Sequence, residues 1–151
     1  MIDPDVRPAR PGDVDQLVQL EAESRAAMAD QRGGARWMSD HPARGETWAA
    51  VLADSRVFAQ VAHIGDVVVG YIVASIDTTQ PWLGRIDEVY VAPEARELGF
   101  GDELLAASLA ALRGAGATTL DGEALPGDRA VKNLYERAGI KARLIVVSTP
   151  L

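Results

Sequence analysis

Apolar positions recur along the chain at helix and strand spacing in turn, and their order reads as a mixed α and β domain. Val6-Arg7-Pro8-Ala9 is a short opening strand, and Pro8, which lacks an amide proton, assigns it to a sheet edge. Pro11-Gly12-Asp13 turns into a helix whose buried stripe is Val14, Leu17 and Leu20, fading between Arg25 and Ala29. Asp13 with Gln16 three residues on makes a capping-box-like start. Residues 30–44 are the least regular: Gly33-Gly34 and Pro42 interrupt them, Gly45 follows, and Trp37-Met38 is an apolar pair in a polar stretch. A second helix is expected over 46–54, with Trp48, Val51 and Leu52 on one face.

Residues 56–62 then read as a strand, His63-Ile64-Gly65-Asp66 as a hairpin turn, and 67–76 as a strand apolar on both faces. After turn residues and Trp82, the stretch 86–91 is rich in β-branched and aromatic residues. Pro93 ends that strand, and from Gly99 onward Leu105, Leu109 and Leu112 fall at helical spacing among strong helix formers. Gly114-Ala115-Gly116 stops the helix, and 118–120 is a short strand. Pro126-Gly127-Asp128 opens a last helix, with Val131, Leu134, Tyr135 and Ala138 on one face and Gly139 as its stop. A final strand is expected over 143–148. With no internal repeat, low-complexity run or linker, residues 1–151 are expected to form a single α/β (α+β) domain.

The segment Val91-Ala92-Pro93-Glu94-Ala95-Arg96-Glu97-Leu98-Gly99-Phe100-Gly101-Asp102 carries the strongest chemical signal. Two glycines one residue apart at a helix start admit a ligand close to the backbone. First-turn N–H groups have no intrahelical partner and lie at the positive end of the helix dipole, so the segment suits a pyrophosphate.

Composition narrows the possibilities. The 151 residues are 48% hydrophobic and 25% charged, ordinary for a globular domain. The chain has no cysteine, which excludes disulfides, thiolate metal sites and a cysteine acyl-enzyme. Two histidines, His41 and His63, do not make a His-rich metal site. No apolar run approaches the ~18 residues that span a bilayer, and Met1-Ile2-Asp3-Pro4-Asp5 lacks the features of a signal peptide. The expectation is a cytoplasmic, metal-free protein without a membrane partner. A formal net charge of −7 argues against nucleic acid as a partner. It suits a cationic substrate, and equally serves solubility alone.

Arg96-Glu97-Leu98-Gly99-Phe100-Gly101, preceded by Val91-Ala92-Pro93, resembles the R/Q-x-x-G-x-G/A acyl-CoA signature of the GNAT N-acetyltransferase superfamily. The run from Asp128 to Ile140, with Leu134-Tyr135-Glu136 and Gly139, resembles that family's second segment, and Arg7-Pro8-Ala9 with Asp13 and Leu17 its opening. The resemblance covers essentially the whole chain. It implies a largely antiparallel mixed sheet of 6–7 strands flanked by about four helices. It also implies transfer of an acetyl group from acetyl-CoA, the cosubstrate, to a small-molecule or peptide primary amine in a ternary complex. Backbone groups of Val89, Tyr90 and Val91 are expected to pair with pantetheine, and amides of Arg96, Glu97, Leu98, Gly99, Phe100, Gly101 and Asp102 to hold the pyrophosphate. Tyr135 matches the tyrosine that protonates the leaving thiolate, and a homodimer is a family-level expectation.

The sequence departs from the family pattern at four places. Glu97 stands where Gly is usual and Leu98 where a basic residue is frequent, which makes the loop less positive. Asp128 stands for Asn, which leaves its role as a cofactor contact open, and Ile140 for Phe. These departures keep a second reading in play, a non-catalytic acyl-CoA-binding or sensing module.

Making a lysine-type amine neutral at pH 7 costs about 4.6 kcal/mol, and a carboxylate can take that proton. Asp87 and Glu88 are the candidate bases. Adjacent strand residues face opposite sides, so only one lines the acceptor cleft unless a bulge intervenes. Tyr135, with an ordinary pKa near ~10, is able to donate at neutral pH, and it also lies on the apolar stripe of its helix, as a core tyrosine would. Arg96 either contacts phosphate or braces its loop. Trp37, Met38, His41 and Trp48 fall where the family's variable acceptor-side helices lie, and either line a pocket or pack a loop. His63 is assigned to an exposed turn.

Overall fold

A strand with apolar residues on both faces needs cover on both, and Val67–Ile76 (β3) takes the centre of the sheet. The computed structural model describes residues 4–151; the acidic start at Met1, Ile2 and Asp3 lies outside the described residues. β3 is flanked by Val57–Ile64 (β2) and Leu83–Val91 (β4), both antiparallel to it. Val6–Pro8 (β1) pairs with β2 at one edge, where Pro8 costs no ladder bond. Thr119–Gly122 (β5) runs parallel to β4 at the other edge. The order is β1-β2-β3-β4-β5.

Helices cover both faces. Val14–Met28 (α1) and Trp48–Ala53 (α3) lie on one, where Leu17, Leu20 and Trp48 pack on Val61, Tyr71, Val73 and Tyr90. Phe100–Gly114 (α4) and Arg129–Arg137 (α5) cover the other, where Phe100, Leu104, Leu105, Leu112, Leu134 and Tyr135 meet Val69, Ile72, Ala74 and Ile86. Burying a side chain such as Phe100 or Leu104 contributes about 1.5–3 kcal/mol. A further helix, Gly34–Asp40 (α2), lies beyond α1.

The described residues thus hold five strands and five α-helices, against the expected 6–7 strands and about four helices. The extra helix is α2, in the stretch read as irregular. Gly33 takes φ 79° as its N-cap, and Gly34 passes so close to the Met28 carbonyl that a side chain there would collide with it. The glycines therefore join two helices at a tight corner. The missing strand is 143–148, which pairs with nothing among the described residues. Asp13 also differs from its expected role. Its carboxylate binds Arg7 at 2.7 and 2.8 Å and the Arg10 amide at 2.7 Å, tying β1 to the entry of α1. Gln16 instead bonds the Val68 amide and Asp66 carbonyl at the β2–β3 turn.

The β3–β4 register carries the feature that shapes the site. Val73 opposes Glu88 and Ala74 opposes Ile86, so Asp87 is an extra residue in β4, a bulge. It reverses the alternation of faces. Tyr90 packs in the α1–α3 layer, while Ile86, four residues earlier, packs under α4. The β4–β5 pairing stops at the same place, with Ile86 opposite Gly122. Past it, β4 runs on to Val91 with no partner on its β5-side edge among the described residues.

Candidate active site

Loop 96–99 links the end of β4 to α4 through a one-turn helix at Pro93–Ala95. Glu97 has φ 63°, the one non-glycine in the left-handed region among the described residues, and Gly99, the N-cap of α4, has φ 89°. Left-handed residues within a turn let successive amides face one side, as in an anion-binding nest. The amides of Glu97, Leu98, Gly99, Phe100, Gly101 and Asp102 make no backbone hydrogen bond among the described residues. Six such donors at the positive end of a fifteen-residue helix fit a pyrophosphate. Phe100, 1% exposed, anchors the helix start in the core.

Two side chains of the loop and the first turn of α4 are committed elsewhere. Arg96 Nε donates to the Val91 carbonyl at 3.0 Å, and its guanidinium lies 5.8 Å from the Tyr90 ring centre. It braces the loop against the strand. Asp102 accepts from Arg137 Nε at 3.0 Å, joining α4 to α5. Gly101 is less demanding than the glycine pattern suggested: a methyl there would meet Leu134 at 3.6 Å, an ordinary contact. Asp128 is the N-cap of α5, accepting from the Val131 amide at 3.1 Å. That task needs only an acceptor, so Asp serves as well as Asn.

Val89, Tyr90 and Val91 lie on the stretch of β4 beyond the last β5 pair. Their backbone is paired to β3 on one side, and β5 has ended on the other. An extended ligand fits beside that edge as a further strand.

Asp87 and Glu88 have opposite environments. Glu88, 7% exposed, accepts from Ser24 Oγ at 2.7 Å and from Arg44 Nη1 at 2.7 Å. The same Arg44 nitrogen reaches Glu21 at 3.0 Å, and Glu21 also takes the backbone amides of Arg44 and Gly45 and the Trp48 indole N–H. Arg44 stacks over Trp48 at 5.1 Å. Tyr71 is buried beside this cluster, and burial together with the Glu88 charge pushes its hydroxyl well above the ordinary range. Asp87 is half-buried and accepts from Ser75 Oγ at 2.7 Å. Burial raises its pKa above the usual carboxylate value, against the opposing pull of the Ser75 bond and of Arg44 and Arg85.

Tyr135, 8% exposed, projects from α5 toward the end of β5. Its hydroxyl lies 2.8 Å from where a Cβ on Gly122 would stand, so only glycine fits there. Burial raises its pKa, reinforced by the charges of Asp128, Glu123 and Asp87, and it stays protonated at neutral pH.

His41, Arg85, Ile86, Asp87, Asp121, Gly122 and Glu123 line a cleft of about 260 Å³. Three carboxylates face one guanidinium, and Arg85 is shared with Asp77 at 3.2 Å. His41 stacks on Trp37 at 4.3 Å and approaches Glu123 at 3.6 Å. Of the four acceptor-side candidates, only His41 reaches this cleft. Trp48 is fully buried against Tyr71, and Trp37 supports His41 from behind. Arg44 and Glu21 escaped sequence reasoning, since two charges 23 positions apart carry no local signal of pairing. Met38 contributes its carbonyl, which accepts from Arg25 at 3.1 Å. His63, at the end of β2, approaches Asp5 at 3.4 Å, remote from the cleft.

Comparisons with known proteins bear on the fold and the family. No curated protein matches the sequence at a significant level. Among solved structures, the chain resembles AAC(6')-Iy in complex with the bisubstrate analogue CoA-S-monomethyl-acetylneamine, at 18% identity and TM-score 0.73, covering 99% of this chain and 100% of that one. It resembles a ribosomal-protein-alanine N-acetyltransferase from Brucella melitensis biovar Abortus 2308 at 17% identity and TM-score 0.73, with 99% and 100% covered. A transcriptional regulator from Bacillus halodurans aligns at 19% identity and TM-score 0.72, again over 99% and 100%. At these identities the likeness is one of fold. The sequence model of the Acetyltransferase (GNAT) family matches residues 16–140, and with that match the chain belongs to the GNAT acetyltransferase family.

Proposed function

We propose that this protein transfers an acetyl group from acetyl-CoA to a primary amine, with Asp87 as base and Tyr135 as acid. The observation that carries the reading is the place where β4 and β5 part. The Asp87 bulge, the unpaired β4 edge and the Tyr135 hydroxyl against Gly122 converge there, beside the run of amides opening α4.

Acetyl-CoA supplies an activated acyl thioester. The amides of 97–102 hold its pyrophosphate, and the edge from Val89 to Val91 aligns its arm. Asp87, directly or through a water, takes a proton from the incoming ammonium group. Its raised pKa makes it a stronger base than an ordinary carboxylate. As the amine nitrogen bonds to the acyl carbon and the C–S bond breaks, Tyr135 gives its hydroxyl proton to sulfur. The nitrogen's second proton restores the Tyr135 hydroxyl, the proton held by Asp87 passes to solvent, and the products are an amide and a free thiol. Glu88 is reserved for structure, since both its oxygens are engaged. The three carboxylates of the cleft favour a cationic acceptor. The bisubstrate analogue bound by AAC(6')-Iy makes aminoglycosides the first acceptors to try.

A sensing module that binds acyl-CoA without turnover is the second reading. It is favoured by a loop with Glu94, Glu97 and Asp102 around it and its one arginine committed to Val91. Thiol release from acetyl-CoA, followed across aminoglycosides, polyamines, lysine peptides and peptide N-termini, separates the two. Release with at least one amine is the expected result. Calorimetric binding of acetyl-CoA with no release across that panel would replace catalysis with sensing.

A further inference from the structure

With Asp87 as base, each turnover leaves its carboxyl protonated, and the cleft it lines is the way out for that proton. Four other ionisable side chains line the cleft: His41, Arg85, Asp121 and Glu123. Arginine does not give up its proton, and free carboxylates hold one poorly at neutral pH, whereas imidazole takes and gives one there. That chemistry singles out His41, and its setting prepares it for the task. His41 is the C-cap of α2, and Arg25 fixes it there by donating to its carbonyl at 2.7 Å and to that of Met38 at 3.1 Å. The ring stacks on Trp37 with planes 15° apart, and its Nδ1 lies 2.8 Å from the Trp37 carbonyl oxygen. A carbonyl only accepts, so Nδ1 carries the proton of the neutral ring and Nε2 presents a lone pair. Nε2 lies 3.6 Å from Glu123 Oε1, where a carboxylate is ready to pair with the ring once it is charged. The side chain is 39% exposed, so a proton held there is open to solvent.

We infer that His41 is the relay through which the Asp87 proton leaves the acceptor cleft, an inference that rests on Asp87 as the base. The Asp87 carboxyl gives its proton through a water to His41 Nε2, forming an imidazolium beside Glu123. The imidazolium then releases the Nε2 proton to solvent, while the Nδ1 proton stays on the Trp37 carbonyl. The neutral ring and the ionised carboxylate are restored together. The cleft, about 260 Å³, has room for the bridging water. Burial raises the Asp87 pKa, and a charged His41 is among the groups that lower it, so the imidazolium favours Asp87 in the ionised form the next amine requires.

Two measurements on the full chain test the relay. Long-range proton–nitrogen NMR on protein labelled at histidine reads the tautomer, with His63→Gln to assign the two rings. The neutral His41 ring is expected with its proton on Nδ1, and a proton on Nε2 overturns the relay. Turnover is read as thiol release from acetyl-CoA with neamine, spermidine and a lysine peptide, the fastest of the three being carried forward. His41→Ala is expected to lower kcat roughly 10–100-fold with KM for acetyl-CoA unchanged, and free imidazole to restore most of the loss. His41→Gln can still donate to the Trp37 carbonyl but cannot carry a proton, and is expected to lose as much. In the Asp87→Asn background no proton reaches position 87, so adding His41→Ala should cost less than about threefold more. A His41→Gln enzyme with normal kcat, a His41→Ala enzyme that imidazole does not restore, or losses that add in the double variant would overturn the relay and leave Asp87 as base. A fully active Asp87→Asn enzyme would remove the base and the relay together, and no release by the wild type with any of the three amines would sink the transferase reading and the relay with it. His41→Gln and the wild-type tautomer decide even if His41→Ala fails to fold.

Discussion

Arg44 Nη1 lies 2.7 Å from Glu88 Oε1, and Ser24 Oγ donates to the other oxygen of that buried carboxylate at 2.7 Å. Asp87, the next residue back along the strand, has a single side-chain donor and lines the cleft. The two acids are thus expected to fail differently. Asp87→Asn keeps the fold and lowers kcat by ~10²-fold or more, the scale of a lost general base. Glu88→Gln takes from the buried Arg44 one of its two carboxylates while Glu21 stays paired to it, and losing a charged hydrogen bond of this kind costs about 1.5–3 kcal/mol. Thermal unfolding and single-turnover kinetics on both variants check this. A stable, active Asp87→Asn protein would remove Asp87 as base.

The Ser75 hydroxyl is the handle on the Asp87 pKa. Its bond stabilises the ionised carboxylate and so lowers a pKa that burial raises. Without it, protonated Asp87 persists to higher pH. Ser75→Ala is therefore expected to move the acidic limb of kcat/KM upward in pH. Stability follows the same sign. A carboxyl whose folded pKa exceeds its unfolded value binds more protons in the native state, so its contribution is greatest below the unfolded pKa of about 3.9 and falls as pH rises through the folded value. A pH–rate profile of Ser75→Ala that overlays the wild type would detach Asp87 from that limb.

Much of this was legible in the chain and some was not, for physical reasons. The two-faced apolar run of β3, the edge position of Pro8 and the Gly99 helix start are local signals, and each element lies where its residues place it. The sequence also offers Asp87 and Glu88 as candidate bases without choosing between them. It went no further, because a bulge belongs to the pairing between two strands, and nothing within β4 alone announces that Ile86 and Glu88 oppose adjacent residues of β3. The Arg44–Glu21–Glu88 set joins three separated segments and is invisible to any window. Residues 143–148 show the converse. Their β-favouring composition predicts a strand, yet propensity supplies no partner, and the described chain forms no strand there.

Glu97 is a residue at which replacement is expected to improve the protein. Its φ of 63° costs a side-chain-bearing residue ~1–2 kcal/mol, and its charge lies within the amide run. Glu97→Gly removes both burdens, against the greater flexibility of glycine in the unfolded chain. Acetyl-CoA affinity is expected to rise about threefold to fivefold, a surface electrostatic effect of ~0.6–1 kcal/mol. Isothermal calorimetry at low and high salt measures this, and the gain should shrink with salt. Equal affinities at both salts would move the phosphate away from Glu97.

Gly122 and Tyr135 form the last testable pair. A Cβ at position 122 would stand 2.8 Å from the Tyr135 hydroxyl, closer than real contacts come, and 3.1 Å from Cζ, a tight contact. Gly122→Ala is thus expected to displace the ring, and a shift of order 1 Å in a catalytic group costs roughly 10²-fold in rate. Tyr135→Phe alone should cost a similar ~10²-fold by removing the acid, with acetyl-CoA binding retained. The two losses share one cause, the position of one hydroxyl. In the Tyr135→Phe background the main clashing atom is absent and there is no acid to misplace, so adding Gly122→Ala should cost less than threefold more. Coupling of that size is a double-mutant-cycle signature of contact. Additive losses would mean that Gly122 matters for a reason other than the tyrosine, and the acid assignment would lose its geometric support.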